Sequence, residues 1–426
     1  MIFIKIFSRR VNLIEMSLYS FVFSFALYPT IFSKINIMGY KVFIGLIFLG
    51  VLYFILILKL FVGEKIFLNK ILILSIIAII FSIILSCIIG VEISEKYAIH
   101  LVLLLSIPIL FTSILKDIRT LQVVMSIIII SGFFLFLYGT YGYITGKIGE
   151  EASSLVWKNY ARYFGLHYTP STSNSDVYYF SIPLLLVFSE LLFNHHLSHR
   201  MKLLKLFLLI ILTSAVLLSF SRGAWISLFF TLSFGMYYAI KNRILRVNAK
   251  FILSIILLIT IFLISSYVIL NMFHMQEYFK TRFVSIFSSE KSIMGLPIEF
   301  SDKDRHSLLK AGFEIFINHP LGSGIGSFNK LSMSIAGLPA NHPENTYLYF
   351  FSEIGILGGF AYLVLIFMPL FYFLNNRKII NNRVMWGAIL ISLYISIAYI
   401  FDFEVYNLYH WFLISYIWSC ANLRGV

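Results

Sequence analysis

The chain has 426 residues, of which 60% are hydrophobic and only 12% charged, with a mean hydropathy of +0.91. Soluble domains are about a quarter charged, so this composition excludes a soluble enzyme, a disordered chain and a disulfide-stapled secreted domain. The balance is basic, 33 Lys and Arg against 19 Asp and Glu, which in a chain of long apolar runs reports membrane topology before it reports nucleic-acid binding.

Twelve apolar runs read as spans, at 13–33, 40–61, 66–90, 97–115, 121–145, 176–194, 203–221, 223–240, 251–271, 348–374, 384–401 and 406–423. Most reach the roughly 20 residues needed to cross about 30 Å of hydrocarbon. The weakest is 406–423, interrupted by Tyr406, Asn407 and His410. The prediction is an all-α, polytopic membrane protein of about twelve transmembrane helices. Residues 1–271 hold spans one to nine, 272–347 form one large segment outside the membrane, and 348–426 hold the last three spans. The basic stretch Met1–Arg10 lacks the apolar core and small-residue site of a cleavable signal peptide.

Loop by loop, 19 of the 33 basic residues fall on the side of the N-terminus and seven on short loops of the other side, with seven more in 272–347. Cytoplasmic loops carry the excess of Lys and Arg, so both termini are expected in the cytoplasm and segments 146–175 and 272–347 outside it. Within the longer segment, Ser301-Asp302 predicts the start of a helix with Leu308, Leu309, Phe313, Ile315 and Phe316 on its apolar face. It should stop at Asn318-His319-Pro320 and give way to a tight loop at Leu321–Gly326. Cys87 and Cys420 lie inside apolar runs and form no disulfide or metal-ligand spacing.

Three positions carry candidate chemistry. Arg222 stands in Ser221-Arg222-Gly223-Ala224, a short break between two apolar runs on the expected outer side. A guanidinium there either snorkels to lipid headgroups or clamps an anion, since its fork suits phosphate. His342 stands in Asn341-His342-Pro343-Glu344-Asn345. A helix start explains most of that string, with Asn341 as N-cap and Glu344 closing a capping box. The histidine is left over, and an imidazole at the mouth of a span can act as a general base near neutral pH. Arg305, in Asp302-Lys303-Asp304-Arg305-His306, is either part of a solvated charge cluster or a second anion-binding cation; Arg282 and Arg162 have similar standing.

Other patterns argue less. Gly322-Ser323-Gly324-Ile325-Gly326 could cradle a phosphate but lacks a strand–loop–helix context and a Walker lysine. Asp302 and Asp304 read as charges at a helix start rather than as metal ligands, and no metal or cofactor is expected. The acids in apolar surroundings, Glu15, Asp176, Glu190, Glu353 and Asp402, sit near span ends, whereas an ion-coupled transporter places them at mid-span or in broken helices.

With these strings in order, the chain resembles the O-antigen ligase and polymerase superfamily of bacterial envelope proteins. The resemblance rests on Ser221-Arg222-Gly223-Ala224, on Arg305 opening a helix that leads into Asn318–Gly326, on His342 and Asn345 in a His-x-x-Asn pattern, and on Glu353-Ile354-Gly355-Ile356-Leu357-Gly358-Gly359. It covers roughly residues 205–375. The resemblance implies a membrane-embedded, GT-C-like glycosyltransferase of the bacterial inner membrane, working at its periplasmic face in lipopolysaccharide biosynthesis. The donor would be a glycan on undecaprenyl diphosphate. The acceptor would be the lipid A core in a ligase, or a second carrier-linked glycan in a polymerase. The family's diphosphate-binding arginines fall on Arg222 and Arg305, with Arg282 competing for the second place, and its histidine base falls on His342; Arg162 and Asn345 join the expected substrate contacts. The expected reaction is a metal-independent, inverting displacement, with His319 as the rival base. A protein oligosaccharyltransferase and a lipid-linked oligosaccharide transporter are the more distant readings.

Overall fold

The computed structural model describes residues 12–25, 34–37, 40–63, 69–144, 177–193, 197–219, 221–241, 302–375 and 382–423, together with 267, 271, 292–293 and 296–297. Helices dominate. In chain order they are α1 (Leu13–Ser24), α2 (Ile44–Phe61), α3 (Lys70–Ile89), α4 (Glu95–Ile114), α5 (Ile118–Ile144), α6 (Tyr178–Phe193), α7 (His199–Leu218), α8 (Arg222–Lys241), α9 (Asp302–Asn318), α10 (Phe328–Ala336), α11 (Thr346–Tyr349), α12 (Ile356–Asn375), α13 (Arg383–Ala398) and α14 (Leu408–Asn422). Asparagine side chains cap α1, α3, α11, α13 and α14 through Asn12, Asn69, Asn345, Asn382 and Asn407, each satisfying a backbone donor that the first turn leaves open.

Among the described residues five helices, α3, α4, α5, α8 and α12, are long and apolar enough to cross a membrane, and α1, α2, α6 and α13 are shorter apolar helices. This is a helical, multi-pass membrane protein. One reading of the sequence changes. The run 40–61 does not begin as helix, because Tyr40–Phe43 (β2) pairs antiparallel with Lys34–Ile37 (β1). A second small ladder joins Ser292–Ile293 (β3) and Leu296–Pro297 (β4). The expected span 251–271 and the outer segment 146–175 lie almost wholly outside the described residues.

The run read as weakest, 406–423, is among the most enclosed of the described helices. In α14 every side chain from Tyr409 to Ala421 is buried, against α4, α13 and α12. A helix surrounded by protein needs no lipid-facing hydropathy, only partners for its polar groups. His410 has them: Nδ1 meets the Tyr399 hydroxyl and Nε2 lies 3.3 Å from that of Tyr362.

Helix ends gather on two faces. On one face, the Val91 and Ser94 N–H groups, between α3 and α4, donate to the Ser323 and Ile325 carbonyls at 2.7 Å each. There Gly223, at the start of α8, packs so close to Phe401 that a Cβ would sit 2.8 Å from the phenylalanine Cβ. On the opposite face Asn69 Nδ2 donates to Asn422 Oδ1 at 2.8 Å. There Glu190 is held by Lys205 Nζ at 2.5 Å and Arg383 Nη1 at 3.6 Å.

Candidate active site

The site is assembled on the first face by two turns that lock together. One is Ile400–Asn407, the connection from α13 to α14; the other is Gly337–Asn345, which leads into α11. The Thr346 N–H donates to the Tyr399 and Asp402 carbonyls at 3.0 Å each. Its hydroxyl donates to the Asp402 carbonyl at 2.8 Å and accepts from the Glu404 N–H at 3.2 Å. Asn345 works at both ends of its amide, accepting from the Leu348 N–H at 2.8 Å as the helix cap and donating to the Ile400 carbonyl at 2.9 Å. The cap of this helix is therefore Asn345 and not Asn341, whose Oδ1 instead accepts from Asn329 Nδ2 at 2.8 Å.

This framework presents His342. Its ring stacks flat on Phe403, with centroids 4.0 Å apart and planes 9° from parallel. Nδ1 is buried without a hydrogen bond among the described residues and faces Glu344 Oε1 at 3.6 Å, while 30% of the side chain remains open. Burial, the largest influence, lowers the His342 pKa from its usual 6.5; Glu344 pulls it back up and Arg305 pushes it further down. The imidazole is thus neutral at pH 7 and has room for a proton.

Glu344 connects His342 to α9. Its other oxygen, Oε2, accepts from Arg305 Nη2 at 3.4 Å, so one carboxylate lies between the arginine and the histidine. Glu344 also has a φ of 55°, and it is the non-glycine residue with positive φ among those described. That conformation costs an ordinary L-residue about 1–2 kcal/mol, a strain characteristic of functional loops.

Arg222 reaches the same framework from α8. The Ser221 hydroxyl accepts from the Ala224 N–H at 3.4 Å, which starts the helix and makes Arg222 its first residue. Ser221, Gly223 and Ala224 line one small cavity with Phe401 and Asp402. Phe401 therefore meets the Arg222 turn while Phe403, two residues on, carries the His342 ring. A guanidinium at a helix N-terminus adds to the positive end of the helix dipole, so the two together favour an anion.

Of the residues expected from sequence, the structure joins His342 to Arg305 through Glu344 and brings the Arg222 turn onto the same connection. Arg282 and Arg162 lie outside the described residues, as do the side chains of Asp302 and Asp304. His319 follows the far end of α9, fourteen residues after Arg305, or about 20 Å at 1.5 Å per residue; it belongs to the turn that ends the helix. The phosphate cradle is already filled. Glu353 Oε2 accepts from the Gly326 N–H at 2.8 Å and Oε1 from the Phe328 N–H at 2.9 Å, so a buried carboxylate occupies the amides that a phosphate would need. Glu344, Thr346 and Phe403 were not singled out for this chemistry. The available signal was Phe401-Asp402-Phe403-Glu404, two acids interleaved with aromatics between two apolar runs.

The structure is thus an apolar helical bundle, that of a multi-pass membrane protein, with Arg222, Arg305, His342 and the strained Glu344 gathered at one end. Residues 207–363 match the model of the family described as O-Antigen ligase. This match supports the resemblance to the O-antigen ligase and polymerase superfamily. The matched stretch runs from α7 into α12 and includes Arg222, Arg305, His342, Glu344 and Glu353, while the Phe401–Glu404 connection lies beyond it. No curated protein matches the chain.

Proposed function

We propose that the chain is a GT-C-like membrane glycosyltransferase that moves a glycan from undecaprenyl diphosphate to the lipid A core, as an O-antigen ligase. The observation that carries this reading is the single Arg305–Glu344–His342 array, set on the connection against which the Arg222 turn packs. In the proposed reaction the acceptor hydroxyl oxygen attacks the anomeric carbon from the face opposite the carrier, and the carbon–oxygen bond to the diphosphate breaks. The departing phosphate oxygen keeps the electron pair, and its charge is met by Arg222 and Arg305, forked donors suited to phosphate. The hydroxyl proton passes to neutral His342, on Nε2, and the imidazolium so formed turns Nδ1–H to Glu344. Configuration inverts, and no covalent enzyme intermediate forms. Arg282 and Arg162, in the segments 272–347 and 146–175, are proposed as further substrate contacts.

The site would face the periplasm of the inner membrane, with both termini cytoplasmic, as the loop charges favour. The test is a deletion strain analysed for its surface glycan. Polymer missing from the lipid A core while carrier-linked polymer accumulates supports the ligase. Cores capped by single repeat units would instead assign the polymerase reaction, in which the acceptor is a second carrier-linked glycan.

A further inference from the structure

Helix α9 has three sides rather than two. Leu308, Ala311, Gly312 and Ile315 are buried against the protein. Lys310, Glu314 and Asn318 form an exposed polar edge. Between them runs an exposed apolar stripe at four-residue spacing: Leu309 is 36% exposed, Phe313 58%, Ile317 59%, and Leu321, just past the helix, 49%. Residues four apart stack on one face of a helix, so the stripe is continuous along the length of α9. An amphipathic water-facing helix would carry polar residues there.

The stripe does not end at α9. On its inner margin Phe316 packs edge-on against Phe351, with ring centroids 5.3 Å apart, and Phe351 packs in turn against Phe360 at 5.5 Å. Phe360 belongs to the outer surface of α12, where Ile356, Leu357, Val364 and Phe371 are also exposed, and α12 is one of the helices able to cross the membrane. The apolar side of α9 therefore continues the exposed apolar surface of α12.

We propose that α9 lies along the membrane interface, with Leu309, Phe313, Ile317 and Leu321 seated in the outer edge of the hydrocarbon and Lys310, Glu314 and Asn318 in water. The bilayer is the partner that fits, because the stripe merges with the exposed apolar surface of a helix long enough to cross the membrane on one side and is bordered by charges on the other, the pattern of an interfacial helix. Segment 302–318 is then a membrane-seated element rather than part of a free outer domain. Arg305 stands one turn before Leu309 on the same helix face, so this seating holds its guanidinium at the depth of lipid headgroups. The seating does not depend on the reaction proposed above.

The experiment uses the full chain, with Cys87→Ala and Cys420→Ala, reconstituted in liposomes and spin-labelled through a single cysteine replacing Phe313, Ile317, Lys310 or Glu314. All four positions are exposed, and dissolved oxygen and a water-soluble nickel chelate report their surroundings. Labels at 313 and 317 should favour oxygen over nickel several-fold more than labels at 310 and 314. Equal nickel access at all four positions would overturn the proposal, as would spin–spin broadening at 313 from a second copy covering the stripe. In parallel, the unaltered chain in liposomes carrying a photoreactive lipid should be labelled between Leu309 and Leu321. Labelling confined to α12 would count against the seating even if the cysteine variants fold poorly.

Discussion

At the level of single residues the account turns on Glu344. Its carboxylate is shared between Arg305 at 3.4 Å and His342 at 3.6 Å, and its backbone pays for that position with a left-handed φ. Because Glu344 raises the His342 pKa and burial lowers it, removing the charge in Glu344→Gln should lower that pKa further. The proposed reaction needs neutral His342, so the acid limb of kcat/KM, which reports the free enzyme, should move to lower pH in this variant, with the plateau rate down about tenfold, or roughly 1.4 kcal/mol. A residue that only shaped the loop would leave the limb in place. Arg222→Lys keeps the charge and loses the fork. Transfer should fall by about 100-fold, the scale of one lost transition-state donor; an unchanged rate would return Arg222 to the role of a lipid anchor.

At the level of elements, Glu353 explains why the glycine loop and the Glu353–Gly359 string occur together. Gly322, Gly324 and Gly326 all have positive φ, which lets the loop pass between α12 and the turn joining α3 to α4. A Cβ on Gly324 would sit 2.1 Å from the Glu92 carbonyl oxygen, and one on Gly355 would sit 2.4 Å from the Leu321 carbonyl carbon. Glu353→Ala should strand the Gly326 and Phe328 amides at about 1–3 kcal/mol each, seen as a lower thermal midpoint in detergent. The stop of α9 at Asn318 and the turn that follows were readable from Asn-His-Pro and the glycines, because breakers act locally. The use of that turn was not: a run of glycines that would suit a phosphate equally suits a carboxylate 27 residues away, and only tertiary structure brings Glu353 there. The same holds for Phe403 under His342, since stacking across 61 positions leaves no local pattern. Asn341 was misplaced as a cap because Asn345, four residues on, offers the same chemistry and also reaches Ile400.

At the scale of the whole molecule, one face of the bundle carries a buried ion-pair cluster and the other the proposed site. Opposite the site, Glu190 binds Lys205 and Arg383 with its own side chain 4% exposed, tying α6, α7 and α13 together. Removing one partner of a buried ion pair leaves uncompensated charge, so Glu190→Gln should destabilise the solubilised protein by about 3–5 kcal/mol without altering the pH profile of the remaining activity. The long apolar runs revealed these helices because hydropathy integrates over a whole span. They could not rank them by depth, which is why α14 looked marginal and is nonetheless deeply enclosed. The site face gathers Arg222, Arg305 and His342 from segments up to 120 residues apart, and the account stands on their acting together. The direct measurement is release of undecaprenyl diphosphate from a carrier-linked glycan by the purified chain in liposomes, with acceptor present, for the wild type and for His342→Ala. The account predicts release coupled to glycan transfer in the wild type and a loss of about 100-fold or more in the variant, with carrier-linked donor still bound; a wild-type rate in His342→Ala would contradict it.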